Sequence, residues 1–268
     1  MDMLTERTPR VVSAVKLLRA SERRKSGLFL AEGTNSVTEA LGAGVVRELF
    51  YAEDSADRNG SVLDAARSAG LRTHAISARA AKGLSDTVTP PGIVAVCRLV
   101  DVALGEALGV DPTLIAVPVE VSEPGNAGTV IRVADAVGAD SVVLLGDSVD
   151  PHNGKCVRAS AGSLFHLPIA RERSVEQGLD ALRASGVQIL ATAADGEIDL
   201  DDADELLSGP TAWLFGNEAH GLDAAVAASA DHRVRIPIHG RAESLNLATA
   251  AAICLYSSAR AQRRSRNN

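Results

Sequence analysis

Short apolar runs and amphipathic stretches alternate along the whole chain. Residues 28–32 (LFLAE), 45–51 (VVRELFY), 71–76 (LRTHAI) and 92–97 (GIVAVC) have the length and content of strands, and 34–42, 61–69 and 77–84 read as helices between them. The opening stretch 9–22 places Val12, Val15, Leu17 and Leu18 at helical spacing, with its basic side chains largely on other faces. Residues 99–112 form a seam, polar at both ends, with Gly105, Gly109 and the pair Asp111-Pro112 and room for a short helix. Beyond it, 113–119, 141–146, 187–192, 211–215 and 234–238 are apolar enough to be buried on both faces, the habit of parallel strands. Helices are predicted for 126–138, 155–163, 175–184, 221–229 and about 244–263. The pattern predicts two α/β units, 1–98 and 113–268, joined by 99–112.

Composition keeps the chain in the ordinary globular class: 268 residues, 46% hydrophobic and 23% charged. No apolar run approaches the ~18–20 residues that span a bilayer. The start, MDMLTERTPR, has an acid at Asp2 and no apolar core, so a secretory signal is not expected. Cys97, Cys156 and Cys254 lie far apart, which argues against a disulfide framework or a clustered zinc site and for a reducing cytoplasm.

Net charge is −7, yet its distribution is uneven. Residues 1–30 carry seven Lys or Arg against three acids, and the last nine residues add four arginines and no acid. Phosphate attraction acts over about a Debye length, so an acidic protein can still present a basic face to RNA. Two solvated basic ends are the competing reading. Aromatics are only 3%, too few for a platform that stacks single-stranded bases. The acidic extreme, 195–205, holds seven carboxylates but lacks the calcium-loop pattern and is expected to be a solvated loop.

Three segments in the second half carry candidate chemistry. In SEPGNAGTVIRVADAVGAD (122–140), Asn126 and Gly128 stand at a helix start, where backbone N–H groups are free. Arg132, six residues on and expected nearly on the same side, could clamp a phosphate. In WLFGNEAHGL (213–222), a buried strand runs into a Gly-rich turn, placing Asn217 and Glu218 at the strand edge that ligands favour. His220 beside them reads as a bystander. In IPIHGRAESLNLATAAAICLY (236–256), Ser244 is expected to cap a long helix with Asn246 in its first turn. No P-loop, GxGxxG, GxSxG or HExxH occurs, which removes the simplest NTPase, dinucleotide, hydrolase and metalloprotease readings.

Together the three segments resemble the SpoU (TrmH-like) branch of the SPOUT RNA methyltransferases. Asn126, Gly128 and Arg132 match the first motif; Gly216, Asn217, Glu218, Gly221 and Leu222 match the second. Ile236, Pro237, Gly240, Ser244, Leu245 and Asn246 match the third, and Arg158, Ser160 and Gly162 an intervening stretch. Ala219 and Ala248 depart from the pattern, standing where Gly and Ser are common. Residues 23–41 resemble the L30e-like substrate-binding domain that precedes the catalytic domain in many members, and the whole is similar to thiostrepton-resistance-type 23S rRNA methyltransferases.

The resemblance implies a C-terminal α/β domain with a parallel sheet and a deep trefoil knot, a homodimer formed through it, no metal, and S-adenosylmethionine as methyl donor. It implies 2′-O-ribose methylation of structured RNA, most readily 23S rRNA. A tRNA methyltransferase of the same family and a non-catalytic RNA- or ribosome-binding protein are the alternatives. Asn126, Arg132, Glu218, Ser244 and Asn246 would then be the catalytic set. Thr192, Ala193, Leu214, Phe215, Gly216, Asn217, Ile236, Ile238, Ser244, Leu245 and Asn246 would hold the donor. Arg10, Lys16, Arg19, Arg23, Arg24, Lys25, Arg132 and Arg158 would contact RNA phosphates, which position a substrate without reading its sequence.

Overall fold

A computed structural model describes residues 3–267; Asp2 lies outside the described residues. In chain order the elements are α1 (Pro9–Lys16), α2 (Ala20–Ser26), β1 (Leu28–Glu32), α3 (Thr34–Gly42), β2 (Val46–Ala52), α4 (Gly60–Ser68), β3 (Arg72–Ile76), α5 (Ala78–Gly83) and β4 (Ile93–Arg98). Then follow β5 (Asp101–Val102), α6 (Leu104–Leu108), β6 (Leu114–Pro118), α7 (Pro124–Val137), β7 (Ser141–Leu145), α8 (Gly154–Ser160), β8 (Ile169–Glu172), α9 (Val175–Ala184) and β9 (Gln188–Thr192). The last are β10 (Ile198–Asp199), α10 (Asp204–Leu207), β11 (Thr211–Phe215), α11 (Ala224–Ala228), β12 (His232–Arg235) and α12 (Leu247–Arg266).

The chain divides into two compact units. The first comprises residues 1–100 together with 150–166. Its four-stranded sheet runs β1-β4-β2-β3, with β4 antiparallel to both neighbours and β2 parallel to β3. One core brings Val11, Ala14 and Leu17 of the opening segment against Leu30, Phe50, Ile76, Leu84, Val94 and Val96. The single helix expected over 9–22 is two helices. Arg23 explains the break: its guanidinium is buried and donates to the carbonyls of Leu17 and Leu18, both at 3.0 Å. Those carbonyls are free to accept because α1 has ended and α2 has not begun.

Arg23 also donates to Asp150 at 2.8 Å, and Asp150 accepts from the backbone N–H of His152. The imidazole of His152 in turn sits 4.7 Å, centroid to centroid, from the ring of Phe29. Residues 150–166 therefore belong by contact to the first unit, although in sequence they lie inside 113–268. Burial opposes ionisation of Asp150, but the hydrogen bond to His152 and the Arg23 charge outweigh it and hold the carboxyl well below the usual range. Asp150→Asn leaves the Arg23 charge buried and unpaired, at an expected cost of about 3–5 kcal/mol in denaturant unfolding. Because the folded pKa is depressed, this contribution is complete above the unfolded value near pH ~4 and is lost as pH falls below it. In Asp150→Asn that part of the acid dependence disappears.

The second unit comprises 101–149 and 167–268 around an all-parallel eight-stranded sheet, β10-β12-β9-β11-β6-β7-β8-β5. β6, β7 and β11 are buried at every position, as the apolar runs predict. One face packs on Leu179, Leu182 and Leu108 of α9 and α6. On α12 the buried face includes polar groups with fixed partners. Ser258 accepts from Trp213 Nε1 at 2.8 Å, and Gln262 donates to the carbonyls of Thr113 and Gly209 at 2.7 and 2.9 Å.

The run 234–238 departs from the expected strand. β12 stops at Arg235, since Pro237 offers no N–H to a ladder, and 236–246 continues as an irregular segment. The acidic stretch 195–205 is not merely solvated. Asp195 and Glu197 pair with Arg233, Asp199 with Arg235, and Asp204 with Arg260 of the C-terminal helix. The three cysteines are buried and free, and burial pushes Cys97 and Cys156 up to about 12. No described helix is long and apolar enough to cross a membrane.

Candidate active site

The site is built at the C-terminal edge of β11 and β9 in the second unit. After Phe215 the chain makes a tight turn in which Asn217 and Gly221 exchange backbone hydrogen bonds at 3.0 and 2.9 Å. Gly216 has to be glycine: a Cβ there would stand 2.2 Å from Leu222 N and 2.3 Å from the carbonyl carbon of Gly221. Asn217 locks the turn, its Nδ2 donating to the Glu120 carbonyl and its Oδ1 accepting from Ala219 N–H. That bond is made with Ala at 219 in place of the usual Gly.

Glu218 gathers the first motif onto this turn. Its carboxylate accepts from Ser122 N and Oγ at 3.2 and 3.0 Å, Glu123 N at 3.1 Å and Asn126 Nδ2 at 3.0 Å. Desolvation works to raise its pKa, but the Asn126 amide and the backbone N–H groups of Glu218, Ser122 and Glu123 outweigh it and hold the carboxyl below the ordinary carboxylate value. An ionised carboxylate so fully supplied with donors is a brace, and a poor proton acceptor at neutral pH.

The third motif joins through Asn246. It is Asn246, and not Ser244, that caps α12, its Oδ1 accepting from Ala248 and Thr249 N–H. Because Oδ1 faces two donors, the Nδ2 is left to donate, and it meets Asn126 Oδ1 at 3.0 Å. Asn126 must then turn its own Nδ2 to Glu218, which accepts it. One directional chain, Asn246 to Asn126 to Glu218, stitches the three motifs together.

Beside this chain lies a cavity of about 480 Å³, within the usual size of small-molecule sites. Thr192, Ala193, Phe215, Gly216, Asn217, Glu218, Ile236, Ile238, Ser244, Leu245 and Asn246 all line it. Leu214 does not: its side chain is buried in the sheet core, and only its carbonyl is engaged, accepting from Thr192 Oγ1 at 3.0 Å. Glu243 also lines the cavity, a position the motif reading passed over because it falls between matched residues. Ser122 was missed for the same reason, since its role is defined only by the approach of Glu218. Ile238 and Leu245 turn 39% and 36% of their surface outward, unusual exposure for large apolar side chains flanking a cavity. Among the described residues, no backbone group from 236 to 245 makes a hydrogen bond within the protein. That segment offers unused donors and acceptors to a ligand.

Arg132 is not part of this lining. Six residues advance an α-helix by about 600°, which sets Arg132 about 120° around α7 from Asn126, not on its side. Arg132 is exposed, with no hydrogen bond or ion pair among the described residues. In the first unit, Lys16, Arg19, Arg24 and Lys25 are exposed, and Arg10 pairs with Glu48. Arg23 is buried and spent internally, and Arg158 is held by Glu32 at 3.1 Å and Asp86 at 2.6 Å. Both have carboxylate partners in place of the phosphates expected for them.

A two-unit chain with an all-parallel sheet, a glycine-dependent turn at a strand edge and an adjoining cavity has the build of an α/β enzyme with a small-molecule site. The SpoU rRNA Methylase family matches residues 113–256, and the chain belongs to it. An MRM3-like substrate binding domain matches residues 8–95. The chain is 38% identical over 242 residues, 90% of its length and 92% of the other's, to the 23S rRNA (guanosine(2553)-2′-O)-methyltransferase RlmP of Bacillus subtilis. It is similar to the SpoU methyltransferase AviRb of Streptomyces viridochromogenes in complex with AdoMet, at TM-score 0.84 and 32% identity over 96% of this chain and 100% of that one. The AdoMet-bound rRNA methyltransferase of Sinorhizobium meliloti is equally similar, at TM-score 0.84 and 31% identity, covering 97% of each chain.

Proposed function

We propose that this protein transfers a methyl group from S-adenosylmethionine to a ribose 2′-oxygen of structured RNA, with 23S rRNA as the substrate. The observation that carries the reading is the Asn246–Asn126–Glu218 chain, which gathers all three motifs at the rim of one cavity. The relatives, named for 23S rRNA and similar along nearly their full length, support the choice of substrate. The lining suits the donor: apolar walls from Ile238 and Leu245 for the adenine, and unused backbone groups of 236–245 for its polar edges. When bound, S-adenosylmethionine supplies a methyl carbon on a positively charged sulfur, so the protein's task is alignment and proton removal, and near-attack positioning can be worth ~7–11 kcal/mol.

Arg132 supplies the cation. Its guanidinium binds the RNA phosphate through its planar fork of N–H donors and stabilises negative charge growing on the 2′-oxygen, while the proton leaves to a phosphate oxygen or water. Ser244 and Asn246 orient the reacting groups. Because Arg132 does not line the cavity of its own chain, the reading includes a homodimer in which a second subunit delivers it. The exposed Ile253 and Tyr256 on α12 are suited to such an interface. It also includes the trefoil knot of the C-terminal part, and RNA contacts from exposed Lys16, Arg19, Arg24 and Lys25.

Incubation with labelled S-adenosylmethionine and total RNA, followed by mapping of alkali-resistant ribose positions, tests the reading. One modified 2′-oxygen in 23S rRNA is expected. Label confined to tRNA, or none, overturns the assignment.

A further inference from the structure

Two carboxylates line the cavity, those of Glu218 and Glu243, and no Lys, Arg or His does. The Glu218 charge is already met by four donors. Glu243 is exposed to the cavity and has no hydrogen bond or ion pair among the described residues. Of the arginines around this segment, Arg233 is committed to Asp195 and Glu197 and Arg235 to Asp199, while the exposed Arg241, two residues away, does not line the cavity and makes no ion pair with Glu243 among the described residues. An unpaired carboxylate beside a site that must admit a polyanion costs RNA affinity, since like charges repel at close range. Its presence calls for a cation to answer it.

We propose that Glu243 selects the charge state of the cofactor, favouring the cationic methyl donor over its neutral product. The inference rests on the methyl-transfer reading above. The donor carries a sulfonium, an ammonium and a carboxylate, net +1 by formal charge. In the transfer, the carbon–sulfur bond breaks with its electron pair staying on sulfur, a carbon–oxygen bond forms, and the hydroxyl proton leaves to water. Sulfur becomes a neutral thioether, and S-adenosylhomocysteine has no net charge. Glu243 loses its electrostatic partner in the same step that makes the product, so product binds more weakly than donor and the site is cleared for the next turnover.

The test is isothermal titration calorimetry on the full chain with three ligands: S-adenosylmethionine, S-adenosylhomocysteine, and sinefungin, which is cationic at the same place without being a sulfonium. One unit charge across a half-open cavity is worth about tenfold in affinity. Glu243→Gln is expected to weaken S-adenosylmethionine and sinefungin by about tenfold and to leave S-adenosylhomocysteine nearly unchanged, while Glu243→Asp keeps the discrimination. In the parent protein the preference for the cationic ligands should also shrink as salt rises. Equal weakening of all three ligands by Glu243→Gln, or no change in any, overturns the proposal while leaving the methyl-transfer reading in place. Failure of the parent protein to bind any of the three overturns that reading itself.

Discussion

Arg132→Ala is expected to abolish methyl transfer while leaving the donor site whole. Rates in single-turnover assays with rRNA should fall by at least about 10²–10³-fold, the usual consequence of removing a group that stabilises developing negative charge. Affinity for S-adenosylmethionine should stay essentially the same, because Arg132 lies outside the cavity lining. Stability should stay within about 0.5 kcal/mol, as for other exposed positions with no internal partner. Arg132→Lys keeps the charge but not the planar fork that grips phosphate in two places, so it should recover only a small part of the rate. Methylation by Arg132→Ala equal to that of the parent would remove Arg132 from the mechanism. Loss of donor binding in the same variant would place it in the cavity.

Gly216→Ala is expected to act in the opposite way, through the donor site. The new methyl would meet the backbone of Gly221 and Leu222 at 2.2–2.3 Å, and backbone cannot swing aside as a flexible side chain can. Either the Asn217–Gly221 bridge opens or the turn shifts as a body. Both outcomes move Asn217 off Glu120 and carry Glu218 away from Ser122 and Asn126. Overpacking of this kind costs about 1–3 kcal/mol of stability. The larger effect is functional: S-adenosylmethionine binding by calorimetry should fall below detection while the first unit keeps its fold. Normal donor affinity in Gly216→Ala would show that the turn is not the cavity wall described here.

Much of this was legible in the sequence, and the failures share one cause. Strands buried on both faces announce themselves as continuous apolar runs, so 28–32 and 211–215 were read to the residue. β8 was missed because Ile169–Glu172 is apolar for only two residues and finds its place between β7 and β5. The break between α1 and α2 depends on Arg23, and Arg23 is fixed by Asp150, 127 residues away. Local periodicity carries no trace of such a partner. The same long-range pair draws 150–166 into the first unit, which spacing alone assigned to the second. Long-range pairing also turns two expected RNA ligands into internal ion pairs, Arg23 with Asp150 and Arg158 with Glu32 and Asp86.

The site shows the same division. Every residue that the motifs name for the donor lines the cavity except Leu214, whose carbonyl is engaged while its side chain is not, and the motifs pass over Glu243. A serine and an asparagine two residues apart are both good caps, and only where α12 begins decides for Asn246, whose Oδ1 accepts from Ala248 and Thr249 N–H. Spacing alone was also a poor guide to Arg132. Residues six apart on a helix diverge, and what looked like one face of a single site is a cation directed elsewhere.

The central claim is that a methyl donor sits against the turn after β11, under the segment 236–246, and a crystal structure grown with S-adenosylmethionine tests it most directly. The account predicts density for the donor in contact with residues 192–194, 215–218 and 236–246 of one subunit, with Glu243 turned to its charged end. Density in any other place on the chain would contradict it.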